Sequence, residues 1–569
     1  METIKELIVE SAGKYGSKTA LQMKVEGNWV RYSYREVLVN AVALGRILRQ
    51  FGVGKGDRVA IFSENCPEWG IAYFSIINIG AIAVPIDCRL TKDIVLNISQ
   101  FSGIKVIFSS PKLVEQMGLK DLSRELNSAV IVLDMLKIRE NFDQIQITDF
   151  PLQSSQLSET EVKVSPSDLA SIIFTSGTTG APKGVMLSHY NFISNVLAVR
   201  QVLAIFPSDN LLSVLPLHHV FAFIADFLCP LSFGTTITSA ESLQSHVLLE
   251  TMKETKTTIM AGIPMLFEIF SDGIRDKFGE FPFPLRWLIE LLKTINWHSR
   301  QIGINLGKIF FHQAHKAFGG NIRFFVSGGA KLNTKDAKFM KKLGFTILEG
   351  YGLTETSPVI TFNALRENKI GSAGKPIPGV EVKINDPNEQ GIGEIVTRGP
   401  NVMQGFYKNE AATKEVLKDG WFYTGDLGYL DKDNFLYITG RLKDVIITKS
   451  GKNVYPDEVE ASYRKITGIK ELCVFGYQNA EGDEEVFAAV IPDEQHFTGS
   501  DQETIRETIK RRLARRSLLL PSYKRIRDFI IWEGEFPKTS TRKIKKFEVK
   551  QKAKPIIDRM LPPPPVRKE

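Results

Sequence analysis

Apolar positions recur at spacings of four and three from Val37 through Ala41, Leu44 and Leu48 to Phe51, and Gly52 ends the pattern. That period predicts an amphipathic helix with a glycine at its end. The next run, Val59-Ala60-Ile61-Phe62, has no polar position and reads as a short buried strand. The alternation resumes through Val106-Ile107-Phe108 and Val130-Ile131-Val132-Leu133. Helices alternating with continuous apolar strands imply a largely parallel sheet covered by helices. The longest uncharged run, Trp69 to Ile86, reaches the lower edge of membrane-span length. Ser75, Asn78, Gly80 and Pro85 interrupt it, which suits a buried helix turning into a buried strand better.

From about Gly371 to Tyr407 the texture changes to short strands with Gly and Pro turns, as in Gly393-Glu394-Ile395-Val396-Thr397-Arg398-Gly399. This reads as a small antiparallel or barrel-like subdomain. After Gly440-Arg441-Leu442-Lys443-Asp444 a new α+β unit begins, and the proline tail Pro562 to Pro565 is expected to be extended. The expected architecture is therefore α/β. A large N-terminal domain of βα-layered subdomains (1–440, β-rich over about 360–440) precedes a small α+β C-terminal domain (441–569).

Composition narrows the function classes. A chain of 569 residues exceeds one core, and 43% hydrophobic with 24% charged residues is ordinary for a soluble globular protein. The start Met1-Glu2-Thr3-Ile4-Lys5-Glu6 opens on charge, so no signal peptide is read and a cytoplasmic protein is expected. Cys66, Cys88, Cys229 and Cys473 lie far apart with no ligand spacing, which argues against a zinc site or a disulfide frame. The net charge is +8, and residues 504–559 alone carry 18 Lys+Arg against 6 Asp+Glu. Such a surface suits an anion, but no basic–aromatic interleaving suggests nucleic acid.

The densest chemistry lies in FTSGTTGAPKGV, Phe174 to Val185. Glycines, hydroxyls and one lysine after an apolar strand can surround phosphate oxygens. It is not the usual P-loop, because Lys183 follows Pro182 and precedes Gly184. Ser188 reads as the N-cap of the next helix.

The string resembles the phosphate loop of adenylate-forming (AMP-binding) enzymes, closest to the long-chain fatty acyl-CoA synthetases. Further motifs follow in that family's order. They are Asn78 to Asp87, Tyr351-Gly352-Leu353-Thr354-Glu355-Thr356, Tyr423-Thr424-Gly425-Asp426, Gly440 to Asp444 and Pro537 to Lys543. The resemblance implies ATP contacts from Thr175, Ser176, Gly177, Thr178, Thr179, Gly180 and Lys183. Further contacts would come from Gly328-Gly329-Ala330 on the adenine side, from Gly350, Tyr351, Gly352 and Thr354, and from Asp426 and Arg441 at the ribose. It implies Glu355 as the Mg2+ ligand and Lys543 bridging carboxylate and α-phosphate. Relatives often have Gly directly before this lysine where this chain has Arg542, so Lys538 and Lys545 stay open as alternatives.

The same resemblance implies a mobile C-terminal domain with Lys443 in a hinge at 441–444, and Ser450, Gly451 and Lys452 along the coenzyme A thiol channel. Acid specificity is expected from His219, Val220, Phe223 and Gly262. Their surroundings are apolar, and a buried amine without a counter-charge is costly, so amino acids are disfavoured. The expected substrates are a medium- to long-chain fatty acid, ATP and coenzyme A. Transfer to an acyl carrier protein, an aromatic acid as substrate, or a non-catalytic sensor are the alternatives. The segment Pro284–Phe318 leaves open peripheral contact with the inner membrane face.

Overall fold

The computed structural model describes residues 1–119, 128–133, 162–175, 183–449, 452–464, 466–479, 483–539 and 543–560. The chain divides into two compact units, one of residues 1–382 with 397–422 and one of residues 383–396 with 423–569.

Two sheets organise the first unit. In the seven-stranded sheet the strands Leu169–Thr175, Ile82–Pro85, Arg58–Phe62, Ile104–Ser109 and Ala129–Val132 run parallel side by side. Their apolar runs are buried on both sides, as a sheet packed on two faces requires. The helix Pro67–Asn78 that leads into Ile82–Pro85 is buried over almost its whole length. The long uncharged run is therefore core, and no helix among the described residues is long and apolar enough to cross a membrane. The helix Tyr34–Gln50 begins at a capping box between Ser33 and Glu36 and buries Val37, Ala41, Leu44 and Leu48.

The nine-stranded sheet places Ile347–Gly352, Phe324–Ser327, Ile259–Gly262, Asn210–Ser213 and Thr236–Ser239 as parallel neighbours. Short strands follow between Lys375 and Arg441.

In the second unit Ile469–Gln478 pairs antiparallel with Glu484–Pro492, which pairs parallel with Asp528–Ile531. Side-chain alternation divides this sheet's two faces. Val474, Val486, Ala488 and Phe529 pack with Ile509 and Leu513 of the helix Gln502–Ser517. Cys473, Phe475, Phe487 and Ile530 pack with Val549, Ala553 and Ile557 of the helix Lys546–Met560.

Candidate functional site

Register brings three strand ends of the first unit together. Gly262 lies opposite Ser327, and Ser327 opposite Glu349, so the residues that follow each strand emerge at one edge of the sheet. The carboxyl ends of parallel strands are where open α/β sheets place ligands. The expected adenine-side residues Gly328, Gly329 and Ala330, the acyl-side Gly262, and Gly350, Tyr351 and Gly352 are therefore neighbours. Backbone closeness explains the glycines. A Cβ on Gly328 would meet the Phe221 ring at 2.7 Å, and one on Gly352 would meet the Pro358 carbonyl oxygen at 1.6 Å. Glu349 sits just before this edge, where burial pushes its carboxyl up to about 7 against the pull of the Gly371 amide.

Thr354 and Glu355 form a single 3-10 turn, Thr354–Thr356. Two asparagines missed by sequence reasoning tie it down. Asn195 and Asn401, both fully buried, donate to the Thr356 carbonyl at 3.3 and 3.1 Å and to the Val359 carbonyl at 3.4 and 2.9 Å. The Met403 amide donates to the Glu355 carbonyl at 2.8 Å. The backbone of this turn is thus anchored, and a carboxylate beside a hydroxyl on it is a hard oxygen donor set of the kind that suits Mg2+.

The strand Leu169–Thr175 pairs antiparallel with Lys183–Ser188, and Thr175 lies opposite Lys183. The two thus stand on either side of the expected phosphate loop. Ser176, Gly177, Thr178, Thr179 and Gly180 lie outside the described residues. The Lys183 ammonium stands 5.1 Å from the centre of the Phe406 ring. Ser188 caps the following helix and receives the Asn191 amide at 3.1 Å.

His219 directly precedes the short helix Val220–Ala222, which continues into a π-helical turn, Phe223–Leu228. Burial and the neighbouring His218 hold the His219 imidazole down to about 3, so it is neutral at any working pH. His218 stands 3.5 Å from Asp87, and Asp87, His218 and His219 offer possible metal-ligating atoms within 4.8 Å of one another. Arg89 already holds both Asp87 oxygens, at 3.0 and 3.1 Å, and neutralises the carboxylate that a cation would need. Burial alone would raise the Asp87 carboxyl, but the adjacent His218 imidazole and the hydrogen bonds from Arg89 outweigh it and hold it far below its ordinary range.

Phe223 is buried among Tyr73, Phe192, Phe227 and Trp69, with ring centres 4.5, 5.2, 5.6 and 6.1 Å away. Asp226, one turn on, is fully buried and accepts from the Ser213 hydroxyl at 3.2 Å. Burial pushes its carboxyl up to about 8, so at neutral pH it offers no full counter-charge to an ammonium.

The remaining expected residues belong to the second unit. Asp426 and Arg441 are cross-strand partners, with Arg441 Nε 3.0 Å from Asp426 Oδ1. Lys443 is exposed in the 3-10 turn Leu442–Asp444 that follows. Ser450 and Gly451 lie outside the described residues, and the Lys452 ammonium stands 4.6 Å from the Tyr523 ring centre. The three candidate lysines differ. Lys538 pairs with Glu471 at 2.7 Å and Lys545 with Glu548 at 2.8 Å. Lys543 is exposed, and among the described residues no carboxylate pairs with it.

The sequence matches the AMP-binding enzyme family over residues 8–407 and the AMP-binding enzyme C-terminal domain over residues 458–543. It is 32% identical over 474 residues to the long-chain-fatty-acid–CoA ligase FadD15 of Mycobacterium bovis, covering 80% of this chain and 77% of that protein. It is 26% identical to a chloroplastic long-chain-fatty-acid–[acyl-carrier-protein] ligase of Arabidopsis thaliana, covering 88% of this chain and 77% of that protein. Among solved structures, an ATP-bound RpMatB–BxBclM chimera superposes with a TM-score of 0.76 at 25% identity, covering 98% and 99% of the two chains.

Proposed function

Because the chain belongs to the AMP-binding enzyme family, we propose that it is an AMP-forming ligase that converts a medium- to long-chain fatty acid to its coenzyme A thioester. The observation that carries this reading is the register of Ile259–Gly262, Phe324–Ser327 and Ile347–Gly352, which gathers Gly262, Gly328-Gly329-Ala330 and the Thr354–Glu355 turn at one sheet edge.

A carboxylate cannot be attacked directly by a thiol, because oxide would have to leave. In the first half-reaction a carboxylate oxygen attacks the α-phosphorus of ATP. The bond to the bridging oxygen breaks and pyrophosphate departs with that electron pair. Charge on the phosphate oxygens is the obstacle, so positioning and fixed positive charge supply most of the catalysis. In this reading Thr175 and Lys183, with the loop between them, hold the departing phosphates. Thr354 donates to the α-phosphate, and Glu355 would hold Mg2+, which would supply charge neutralisation at the leaving group. Lys543 bridges the carboxylate and α-phosphate oxygens, while Asp426 and Arg441 take the ribose hydroxyls.

In the second half-reaction the thiol of coenzyme A attacks the acyl carbonyl, loses its proton and expels AMP. Lys443 in the hinge and Ser450, Gly451 and Lys452 along the thiol path belong to this step. Neutral His219 and the aromatic packing about Phe223 favour an apolar acid over an amino acid. A cytoplasmic protein in peripheral contact with the inner membrane face completes the reading.

The test is ATP-dependent thioester formation with palmitate, octanoate, cinnamate and benzoate, each offered coenzyme A and acyl carrier protein. Palmitoyl- or octanoyl-CoA is the expected product, and its absence under every condition would sink the proposal. The similarity to the Arabidopsis protein favours one second reading, transfer to acyl carrier protein, which the same panel separates.

A further inference from the structure

The helix Phe283–Ser299 has one side packed on the protein and one side open. One side buries Ile289, Lys293 and Asn296 against the helix Thr334–Lys342, where Asn296 donates to the Lys342 carbonyl at 2.9 Å. The other side carries Phe283, Trp287, Leu291 and Ile295 at spacings of four, with Leu288 beside them. That spacing sets all of these on one face. The face lies open: Phe283 is 72% and Trp287 63% exposed, and Leu288, Leu291 and Ile295 are each at least 40% exposed. Ile302 and Ile309, in the two short helices that pack beside it, are 76% and 71% exposed. A surface helix ordinarily turns polar residues outward, so this clustering calls for a covering partner.

Charge indicates which partner. Residues 281–318 contain five Lys+Arg and one acid. The acid, Glu290, is already paired with Lys293. Arg286, Lys308 and Lys316 are exposed cations of the same stretch. An apolar stripe with aromatic residues and a basic surround fits the boundary between acyl chains and anionic headgroups. At 17 residues the helix can lie in that boundary but does not meet the length and hydropathy of a span.

We propose that the helix Phe283–Ser299, with Ile302 and Ile309, is the face by which this protein docks on an anionic lipid bilayer. This rests on the fatty-acid reading above and deepens it, since long-chain acids partition into bilayers and a docked enzyme meets its substrate there.

The test is flotation of the full chain with vesicles of phosphatidylcholine, with or without phosphatidylglycerol. Wild type is expected to float with the anionic vesicles and to be released by salt. Trp287→Glu/Leu291→Glu should bind at least about tenfold more weakly to them, because it sets charge into the apolar stripe. Arg286→Glu/Lys308→Glu should weaken binding only where phosphatidylglycerol is present. Both variants should make octanoyl-CoA from dissolved octanoate within about twofold of the wild-type rate, since none of these residues lies at the strand-end site. Wild type that fails to float, or a Trp287→Glu/Leu291→Glu variant that floats as well as wild type, overturns the proposal. So does a variant that floats normally but sediments as a smaller species, which would give the face to a second copy of the chain. Failure of the ligase reading is seen separately, as no thioester from any acid in detergent solution, whatever the vesicles do.

Discussion

Around Thr354 and Glu355 the first unit spends two fully buried asparagines, Asn195 and Asn401, on the carbonyls of one turn. Around Lys543 the second unit does the reverse. Its backbone is held by Thr539, whose amide donates to the Lys543 carbonyl at 2.8 Å and whose hydroxyl accepts from the Lys543 amide at 3.1 Å. Its neighbours Lys538 and Lys545 are committed to carboxylates, and its own ammonium stands exposed. A cation engaged in a structural ion pair must break that pair before it can serve a substrate. A turn that orients phosphate gains from having one conformation. On the proposed reading, the difference separates a fixed platform from a charge kept available for one step.

The sharpest way to break that comparison is to exchange the lysines' fates. Lys543→Ala is expected to slow adenylation by at least about a hundredfold while leaving ATP affinity within a few-fold, because the lost charge acts chiefly on the transition state. Lys538→Ala and Lys545→Ala should cost far less rate. Pyrophosphate exchange measures all three, and a Lys538→Ala variant as inactive as Lys543→Ala would assign the charge to the wrong residue. The next effect is on stability. Lys546 lies 2.7 Å from both Asp457 and Glu460. Burial alone would lower its ammonium, but those carboxylates outweigh it and hold the group well above the ordinary lysine range. Lys546→Met should strand two carboxylates and destabilise the second unit by ~3–5 kcal/mol, read by chemical denaturation of the full chain. Lys543→Ala, at an exposed position, should leave that transition in place.

The platform is tested by Asn401→Ala. It removes a donor from both the Thr356 and Val359 carbonyls, at about 1–3 kcal/mol for a buried group left unsatisfied, although Asn195 still reaches the same oxygens. We expect a thermal transition lowered by several degrees and a turnover reduced about tenfold, with the pyrophosphate-exchange rate falling in parallel. An unchanged turnover in a destabilised variant would make the asparagine pair a packing device without bearing on the turn.

Much of this was legible in the chain. The apolar runs at 59–62, 82–86 and 106–108 named strands because a strand buried on both faces leaves no polar position to confuse the period. The motifs also located the sheet edge, since glycine is required wherever a Cβ would meet a ring or carbonyl, as at Gly328 and Gly352. Asn195 and Asn401 were not legible. Their partner Thr356 is 161 and 45 residues away, and an amide donor carries no local signature of the carbonyl it will meet. Asp87 and Arg89 were likewise invisible as neighbours of His218. The helix Phe283–Ser299 could be seen to be apolar, but only its packing on Thr334–Lys342 through Ile289, Lys293 and Asn296 shows that the apolar face is the one left open. In the C-terminal motif Lys543 was favoured from the sequence with Lys538 and Lys545 as alternatives, and the carboxylate partners of those two were not legible there.

The smallest effect concerns the acyl side, where Asp226 combines full burial with a single hydroxyl donor, Ser213, and the backbone amides of Val214 and Leu215. Its folded value of about 8 stands above the ordinary carboxyl value of 3.8. Between those limits the folded chain binds a proton that the unfolded chain has released. The stabilisation is thus complete below the ordinary value and is lost as pH rises toward the folded one. Asp226→Asn keeps the shape and a hydrogen-bonding oxygen but has no proton to exchange. Wild type should therefore lose a few degrees more than the variant in Tm between about pH 5 and about pH 8, and parallel curves would remove the premise. Because a protonated acid attracts no ammonium, the same substitution should leave the preference for fatty over amino acids unchanged. A variant that lost this preference would show Asp226 to be a part of acid recognition rather than of the core behind it.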